Sequence, residues 1–217
     1  MYRVKKPLII LTGPTAVGKT SLSIALAKAV NGEIISADSM QVYRHMDIGS
    51  AKIRPEEMCG VPHYLIDVLD PSEEFHVVKF VELAHEAMEK IYAAGQIPIV
   101  TGGTGFYIQA LLKEVDFTES HGELPIRKQL EEKAATEEGA AELYRELSEV
   151  DPASAETIHP NNVKRVIRAL EYYHETGQKI SEHNEEQKQK ESPYCSAYFV
   201  LNDERSILYD RIDRRVD

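Results

Sequence analysis

The sequence predicts an α/β fold, in which helices cover both faces of a parallel sheet and an all-helical subdomain is inserted late in the chain. Five short apolar runs alternate with helical patterns, at residues 8–12, 33–37, 64–68, 97–101 and 195–201. Their shortness and β-branched content fit buried strands. Alternation of strands and helices favours a parallel sheet, because each crossover helix returns the chain to the same edge.

Helical spacing predicts two helices that cover the first part of this sheet. The segment 20–30 stops before Asn31 and Gly32, and the segment 77–94 stops before Gly95, as is typical of helix ends. The apolar faces predicted from the spacing consist of Leu22, Ala25, Leu26 and Ala29 in the first helix, and of Val77, Val81, Ala84, Met88 and Ile91 in the second.

Residues 125–183 show helical periodicity and no strand pattern, although they lie between two predicted strands. Such a long excursion predicts an inserted subdomain. We therefore expect a core domain of residues 1–120 and 193–217 and a helical subdomain of residues 121–192. The polar stretch 181–192 predicts an exposed, mobile connection. Because the chain stops within a helical pattern at Asp217, we expect a longer natural protein.

A phosphate-binding loop directly follows the first predicted strand. The pattern G-x-x-x-x-G-K-T lies between that strand and a helix start, which is the context the motif requires. Its glycines let backbone N–H groups turn toward an anion, and the helix N-terminus favours negative charge. We predict that the polyphosphate is bound by Gly13, Pro14, Thr15, Ala16, Val17, Gly18, Lys19 and Thr20, with the Thr20 hydroxyl available to Mg²⁺.

Composition and charge limit the remaining possibilities. No apolar run approaches the roughly 20 residues that span a bilayer, so we expect no membrane partner. Cys59 and Cys195 are the only cysteines, which predicts no disulfide framework and a cytoplasmic location. The eight histidines show no metal-ligand spacing and are interpreted as solvated. A net charge of −11 argues against general nucleic-acid binding but leaves room for a local basic surface.

Asp38 follows the second predicted strand, beside the strand that leads into the loop. A carboxylate at the carboxyl end of such a strand faces the ligand crevice, where it can accept a proton or hold Mg²⁺ through water. The alternative is that Asp38 only caps the following turn. Its position favours the functional interpretation.

The fourth predicted strand ends in Thr101-Gly102-Gly103, followed by Thr104. Adjacent glycines at a strand end allow a substrate to approach the backbone closely, although a plain turn would use them too. The strand ends in threonine where an ATPase carries a metal-binding aspartate. No N-K-x-D motif is present, so guanine recognition of the GTPase type is unsupported.

Five motifs occur in an order and spacing that resemble the tRNA dimethylallyltransferases, also called tRNA isopentenyltransferases. The first is the phosphate-binding loop, and the third is G-V-P-H at residues 60–63. The others are D-S-M-Q-V-Y at residues 38–43 with M-D-I-G-S-A-K at 46–52, G-G-T-G-F-Y at 102–107, and H-P-N-N-V-K-R at 159–165. The resemblance covers essentially the whole chain, and the combination is far more specific than the loop alone.

The resemblance implies prenyl transfer to tRNA. Dimethylallyl diphosphate would occupy the loop with Mg²⁺, and the N6 amine of the adenine 3′-adjacent to the anticodon would attack its allylic carbon and release diphosphate. Asp38 matches the family's base, and Thr104 matches a second residue at the reacting centre. Arg215 aligns with a diphosphate-binding arginine. The same resemblance implies a protein that works as a monomer on the anticodon stem-loop.

The tRNA contacts implied by the family fall at several places along the chain. Lys164, Arg165 and Arg168 form the clearest local basic cluster, which charge counting alone would interpret as a solvated helix face. The complete set implied by the resemblance is Asp38, Ser39, Met40, Gln41, Thr104, Arg127, Asn161, Asn162, Val163, Lys164 and Arg165.

Two other classes of function fit the phosphate-binding loop. An ATP-dependent small-molecule kinase would use the same core, and the loop does not reveal whether its polyphosphate belongs to a nucleotide. A non-catalytic nucleotide switch is disfavoured by Asp38 beside the loop and by the absence of N-K-x-D. The sequence leaves open the set of tRNAs and the preferred prenyl donor.

Overall fold

The computed structural model describes residues 4–114 and 125–216 of the chain. The chain divides into two compact units, of which the first combines Met1–Val115 with Ser192–Asp217 and the second is Asp116–Glu191. The boundary predicted at residues 120 and 121 lies outside the described residues. The boundary predicted at residues 192 and 193 is one residue from the observed division.

The first unit is built on a five-stranded sheet of order β3-β2-β4-β1-β5. Every strand pair in it is parallel, which confirms the predicted α/β class. The strands are β1 (Lys6–Thr12), β2 (Gly32–Ser36), β3 (His63–Tyr64), β4 (Ile97–Gly102) and β5 (Tyr194–Val200).

Helices make up most of the remaining described chain. The first unit contains α1, α2, α3 and α9, and the second contains α4 to α8. In chain order they are α1 (Lys19–Val30), α2 (Val77–Ala93), α3 (Gly105–Lys113), α4 (Pro125–Lys133), α5 (Glu137–Val150), α6 (Pro152–Thr157), α7 (Val163–Thr176), α8 (Ile180–Gln189) and α9 (Arg205–Val216).

The sheet has a different apolar core on each of its faces. On one face, Phe80 and Met88 of α2 pack with Val100 of β4, in a cluster that also holds Ile91. This confirms the predicted buried face of α2. On the opposite face, α1 contacts the sheet through Ala27 and the strand residues Ile34 and Ile99.

The predicted apolar face of α1 is largely wrong, although Leu26 is partly buried against the core beneath this helix. Leu22 is 43% exposed, and Ala25 and Ala29 are exposed as well. The buried positions are Ser23 and Ala27, whose small side chains let the helix approach the sheet closely. Burial of the Ser23 hydroxyl is tolerated because its Oγ donates to the Thr20 carbonyl at 2.9 Å.

The third strand is shorter than its apolar pattern suggests. It covers only His63–Tyr64, paired with Ile34 and Ile35 of β2. The backbone then turns out of the sheet, because Leu65 and Asp67 adopt positive φ angles of 61° and 55°. An apolar run therefore predicted a strand where the chain in fact begins a turn.

The second unit has its own core between α4, α5, α6 and α7. Leu143 and Leu147 of α5 are fully buried and pack with Val166 and Leu170 of α7. Leu130 of α4 joins the same cluster. The helical character predicted for residues 125–183 is therefore present, with helices that bury their apolar stripes on one another.

Residues 180–189 form the helix α8, so the connection predicted from residue 181 onward is helical there, although most of its side chains are exposed as predicted. The reason is Asp151, which is 1% exposed and lies at the start of α6. Its carboxylate accepts hydrogen bonds from the Ser181 N–H at 3.0 Å and the Ser181 hydroxyl at 2.6 Å. Further hydrogen bonds from Ser154 at 3.2 and 2.7 Å cap α6. One carboxylate thus joins α6 to the start of α8.

None of the helices described in residues 4–114 and 125–216 combines the length and the apolar character that a membrane crossing requires.

We predict that Asp151→Asn lowers the free energy of unfolding by about 1–3 kcal/mol near neutral pH, because each carboxylate oxygen accepts two hydrogen bonds and an amide N–H₂ cannot replace one of them. Burial raises the pKa of Asp151, but hydrogen bonds from Ser181 and Ser154 outweigh it and hold the pKa below its ordinary value. The difference between wild type and variant should therefore persist above pH ~3.9 and disappear as pH falls through the lowered pKa.

Urea denaturation followed by circular dichroism across this pH range tests the prediction. Equal stability of Asp151→Asn and wild type at pH 7 would show that this carboxylate does not hold the helices together.

Candidate functional site

The phosphate-binding loop runs from the end of β1 to the start of α1 and needs glycine at both ends. Gly13 has φ 149°, and a Cβ there would lie 2.5 Å from the Leu201 carbonyl oxygen. The chain after β5 passes this close because the Leu201 N–H donates to the Thr12 carbonyl at 2.8 Å. Gly18 has φ 96° at the N-cap of α1, a conformation that side chains disfavour.

Lys19 folds back over this loop. Its Nζ donates to the carbonyl oxygens of Gly13 and Pro14, both at 2.7 Å. Burial lowers the pKa of the Lys19 amine, and the nearby Asp38 carboxylate partly offsets that effect. The ammonium group is thus held by neutral carbonyls, which leaves its charge available to an anion in the loop.

The other residues of the predicted phosphate site lie along the same loop. Pro14 and Thr15 are exposed, Val17 is half-buried and Thr20 is exposed at the first turn of α1. Ala16 adopts a positive φ of 64°. The loop is therefore open along one side.

Arg211, which the sequence analysis did not nominate, reaches this loop. Arg211 of α9 donates to the Ala16 carbonyl at 3.4 Å and pairs with Asp203 at 3.1 Å. Arg215, which the sequence nominated, lies one helical turn further along α9, and its side chain lies outside the described residues. The i, i+4 spacing of the two arginines was the available signal.

Asp38 stands where β2 leaves the sheet. The Ala37 N–H donates to the Thr101 carbonyl at 2.8 Å, which carries the chain across the end of β4. Asp38 Oδ1 then accepts from the N–H groups of Met40 at 2.8 Å and Gln41 at 3.3 Å. The turn-capping role considered from the sequence is therefore present. Asp38 also lines the same cavity as Lys19, so capping the turn is compatible with the functional role predicted for it.

The two glycines at the end of β4 have different environments. A Cβ on Gly102 would lie 2.3 Å from the Ala37 carbonyl oxygen, so the close approach is made by the protein's own backbone. Gly103 is exposed, and the nearest atom to an added Cβ would be the Gly13 carbonyl oxygen at 4.0 Å. Only Gly103 leaves room for a substrate.

Thr104 lies beside Asp38 through this backbone crossing. Its N–H donates to the Ala37 carbonyl at 3.4 Å, and it is the N-cap residue of α3. Its side chain makes no capping hydrogen bond and is half-buried. The hydroxyl is thus available at the edge of the site.

The segment after Asp38 forms a wall of the site. Ser36 Oγ donates to Gln41 Oε1 at 3.2 Å, and Gln41 Nε2 donates to the Ala51 carbonyl at 3.2 Å. Gln41 thereby connects the end of β2 to the loop that follows. Met40 is 43% exposed and Ser39 is half-buried.

A buried lysine ties this loop together. The side chain of Lys52 is 6% exposed, and its Nζ contacts Asp47 at 2.8 Å and Asp67 at 2.6 Å. It also donates to the Tyr43 carbonyl at 2.7 Å. With two carboxylates and a carbonyl as its partners, Lys52 fixes a long irregular segment that contributes to the cavity wall.

One cavity brings these elements together in the first unit. Phosphate-loop residues, the Asp38 carboxylate and the ends of β2 and β4 share it with three isoleucines. Its lining consists of Lys19, Thr20, Ser23, Ile34, Ser36, Asp38, Gln41, Ile53, His63, Ile66, Thr101 and Gly102. A charged end for an anion and an apolar wall for a hydrocarbon are therefore both available.

Two histidines are not solvated as the sequence interpretation assumed. His63 lies half-buried in the cavity wall, where its Nδ1 is 2.8 Å from the Val61 carbonyl. Burial lowers the pKa of His63, although the bond to Val61 opposes the shift. His85 Nε2 lies 3.2 Å from the Tyr194 hydroxyl.

The predicted tRNA contacts of the second unit gather at the start of α7. Asn162 is its N-cap residue, with a side chain that makes no capping bond, and Lys164 and Arg165 are exposed. Within the described part of the chain, neither of these two cations forms an ion pair. Val163 instead packs partly against the helical core, and Asn161 is exposed.

Arg127, by contrast, is already paired. It contacts Glu131 at 3.0 Å and the fully buried Glu171 at 3.5 Å, and Arg168 contacts the same Glu171 oxygen at 2.9 Å. The guanidinium groups of Arg127 and Arg168 are therefore oriented by one buried carboxylate, whereas Lys164 and Arg165 keep their full charge for a partner.

No group of three or more His, Cys, Asp or Glu side chains suited to a metal ion is found among residues 4–114 and 125–216.

Comparison with known proteins identifies the family. A family model described as IPP transferase matches residues 41–217. A tRNA dimethylallyltransferase of Lachnoclostridium phytofermentans is 66% identical over 98% of this chain and 67% of its own length. One from Bacillus licheniformis is 51% identical over 100% of this chain and 68% of its own length.

Solved structures give the same result. A eukaryotic dimethylallyltransferase acting on tRNA is similar with a TM-score of 0.85 and 38% identity, over 98% of this chain and 52% of that chain. The tRNA isopentenylpyrophosphate transferase of Bacillus halodurans matches with a TM-score of 0.66 and 47% identity, over 98% of this chain and 65% of that one. This chain thus spans about two thirds of the bacterial relatives, and by sequence and structure alike it belongs to the IPP transferase family of tRNA dimethylallyltransferases.

Proposed function

We propose that the chain transfers the dimethylallyl group of dimethylallyl diphosphate to N6 of the adenine 3′-adjacent to the anticodon of tRNA. The observation that carries the proposal is the single cavity shared by Lys19, Thr20 and Asp38. In the reaction, the bond between the allylic C1 and the diphosphate oxygen breaks, and a bond between N6 and C1 forms. The proton lost from N6 passes to a base, and diphosphate leaves.

The loop and its cations account for the leaving group. Free backbone N–H groups and partial positive charge at a helix N-terminus favour an anion, and α1 begins directly after the loop. Lys19 supplies a full charge as the diphosphate becomes more negative. Arg211, which already contacts the loop backbone, is a further candidate for the same anion. Stabilising a leaving group as its charge develops lowers the barrier of the transfer.

The residues present fit Mg²⁺ held mainly by diphosphate oxygens. Thr20 offers one hydroxyl at the first turn of α1 and lines the cavity, and Mg²⁺ in such sites retains several waters. When bound, the ion neutralises charge on the departing diphosphate. The protein's own part is to hold the diphosphate and align the allylic carbon.

Asp38 is proposed as the base. An exocyclic adenine amine is a weak nucleophile, and removal of its proton helps as the new bond forms. Oδ1 of Asp38 is committed to the turn, while Oδ2 accepts no hydrogen bond from the described residues. Thr104, whose N–H donates to the Ala37 carbonyl, is proposed to orient the incoming amine.

The target base must leave the anticodon loop to reach this cavity, as nucleobase-modifying enzymes generally require. Residues 38–41, Thr104 and Arg127 are proposed to contact the RNA, together with Asn161, Asn162, Val163, Lys164 and Arg165. Lys164 and Arg165 are exposed and form no ion pair among the described residues. A local basic surface of this kind is compatible with a net charge of −11. The kinase alternative finds no support in the relatives.

The direct test is mass spectrometry of nucleosides from tRNA incubated with the chain, Mg²⁺ and dimethylallyl diphosphate. The 66% identical enzyme of Lachnoclostridium phytofermentans is the positive control. Prenylated adenosine at the expected position supports the proposal. Product from the relative but none from this chain, despite normal binding of donor and tRNA, would contradict it.

We predict that Lys19→Ala both weakens binding of dimethylallyl diphosphate and slows transfer, because the ammonium group contacts the diphosphate in ground state and transition state alike. Lys28→Ala, which removes the same charge from the exposed end of α1, is the control. Calorimetric donor binding and single-turnover rates measure the two effects. Normal donor affinity in Lys19→Ala would place the diphosphate elsewhere.

We predict that Asp38→Ala lowers the single-turnover rate by ~10²–10⁴-fold while donor binding stays largely intact. Asp38→Asn separates catalysis from folding, because its amide oxygen can still cap the turn while its basicity is lost. Both variants should fail alike if the carboxylate is the base. A rate near wild type in Asp38→Asn would reduce Asp38 to the turn cap.

We predict that replacing Lys164 and Arg165 together by Ala weakens tRNA binding and flattens its salt dependence, by roughly one unit of slope for each phosphate that the protein no longer neutralises. Donor affinity should not change. The control, Lys128→Ala with Arg145→Ala, removes the same charge from exposed positions of α4 and α5. Binding isotherms at several salt concentrations provide the measurement. Equal weakening in both double variants would show a diffuse charge effect in place of a local interaction.

A further inference from the structure

Thr101 occupies a special place in a sheet that carries a phosphate-binding loop. It lies near the carboxyl end of β4, the strand directly beside β1, and its register partners are Leu11 of β1 and Ser36 of β2. In nucleotide hydrolases with such a loop, a neighbouring strand supplies an aspartate that helps to hold Mg²⁺. Here Thr101 is the last residue of that strand with a side chain, because β4 ends at Gly102.

The side chain of Thr101 is on the face that α1 covers. Side chains alternate along a strand, so Thr101 shares a face with Ile99. Ile99 packs against Ala27 of α1. Thr101 therefore lies beneath the first turns of α1, and it lines the cavity together with Thr20 and Ser23.

The hydroxyl of Thr101 is buried and has no hydrogen-bond partner among the described residues. Three nearby hydroxyls each donate a hydrogen bond within the protein. Ser36 donates to Gln41 at 3.2 Å, Ser23 to the Thr20 carbonyl at 2.9 Å, and Thr12 to the Gly102 carbonyl at 2.9 Å. A buried hydroxyl without a partner costs free energy unless a water or a ligand completes it.

We propose that Thr101 is the residue that holds a water of the Mg²⁺–diphosphate complex in the loop. This inference rests on the proposed donor site. Mg²⁺ keeps most of its waters when it is bound through phosphate oxygens, and a hydroxyl under the loop accepts a hydrogen bond from one of them. Thr101 would thus occupy the position of the aspartate and act as an uncharged hydrogen-bond acceptor for a metal-bound water.

Threonine in place of aspartate has a consequence for the order in which Mg²⁺ and the donor bind. Among the described residues that line the cavity, Asp38 is the one carboxylate, and a neutral hydroxyl adds no charge to attract a bare cation. A Mg²⁺ ion at this site would accordingly be held mainly by the diphosphate and would bind together with the donor.

The test uses the chain with inorganic diphosphate, and it compares wild type with Thr101→Val and Thr101→Ser. Valine keeps the shape of the side chain and removes the hydroxyl, and serine restores the hydroxyl. The protein's melting temperature is measured without ligand, with diphosphate and EDTA, and with diphosphate over a range of free Mg²⁺ concentrations.

We expect Thr101→Val to require roughly three- to tenfold more Mg²⁺ for half-maximal stabilisation by diphosphate, the size of effect that one net hydrogen bond gives. Its affinity for diphosphate in EDTA should equal that of wild type. Its melting temperature without ligand should be equal or higher, because a buried unpaired hydroxyl is removed. Thr101→Ser should resemble wild type.

An unchanged Mg²⁺ requirement in Thr101→Val overturns this inference alone, provided that wild type binds diphosphate. An equal loss of diphosphate affinity with and without Mg²⁺ also overturns it, because the hydroxyl would then contact the anion directly. If wild type binds no diphosphate in the presence of Mg²⁺, the proposed function fails and the inference fails with it.

Discussion

The approach of the β2 end to the β4 end is the constraint on which the site depends. A side chain on Gly102 would meet the Ala37 carbonyl oxygen at 2.3 Å, so only glycine lets the two backbones cross here. The crossing is fixed by hydrogen bonds from the Ala37 N–H to Thr101 and from the Thr104 N–H to the Ala37 carbonyl. It brings the catalytic candidate Asp38 and the hydroxyl of Thr104 to the edge of the sheet at which β1 ends and the phosphate-binding loop begins.

Some of the lysine and arginine side chains pair with carboxylates and stabilise the fold, whereas others remain free to bind a ligand. Lys19 is held by two neutral carbonyl groups, so its charge remains available to an anion. The charge of Lys52 is instead neutralised by two carboxylates, and these contacts together with one carbonyl stabilise the cavity wall. In the helical unit, Arg127 and Arg168 share the buried Glu171, while Lys164 and Arg165 stay exposed. The molecule can therefore carry a large net negative charge and still present cations where phosphate groups are expected.

Much of this was predictable from local sequence patterns. The parallel sheet, the loop and the α2 face follow from strand length, glycine spacing and helical periodicity, which are encoded by neighbouring residues. The failures share a cause in interactions between distant residues. Ser23 replaces Leu22 on the buried face of α1 because the sheet is close, and α8 forms because Ser181 bonds to Asp151, thirty residues earlier. Neither interaction produces a periodic pattern in the sequence.

The functional residues divide in the same way. Motif spacing nominated Lys19, Thr20 and Asp38, and all three line one cavity. Arg211 was missed because its hydrogen bond to Ala16 joins the two ends of the chain, and Gly102 was assigned to a substrate although it serves the backbone. The half-buried state of His63 depends on β3 and the loop before it, which no local pattern reports.

We propose above all that the phosphate-binding loop holds an allylic diphosphate and that its ligand is not a nucleoside triphosphate. The most direct measurement is the melting temperature of the chain with Mg²⁺ and equal concentrations of dimethylallyl diphosphate or ATP, since a ligand stabilises the folded state according to its affinity. The account predicts a larger rise with dimethylallyl diphosphate. A rise with ATP alone would contradict it and favour an ATP-dependent kinase.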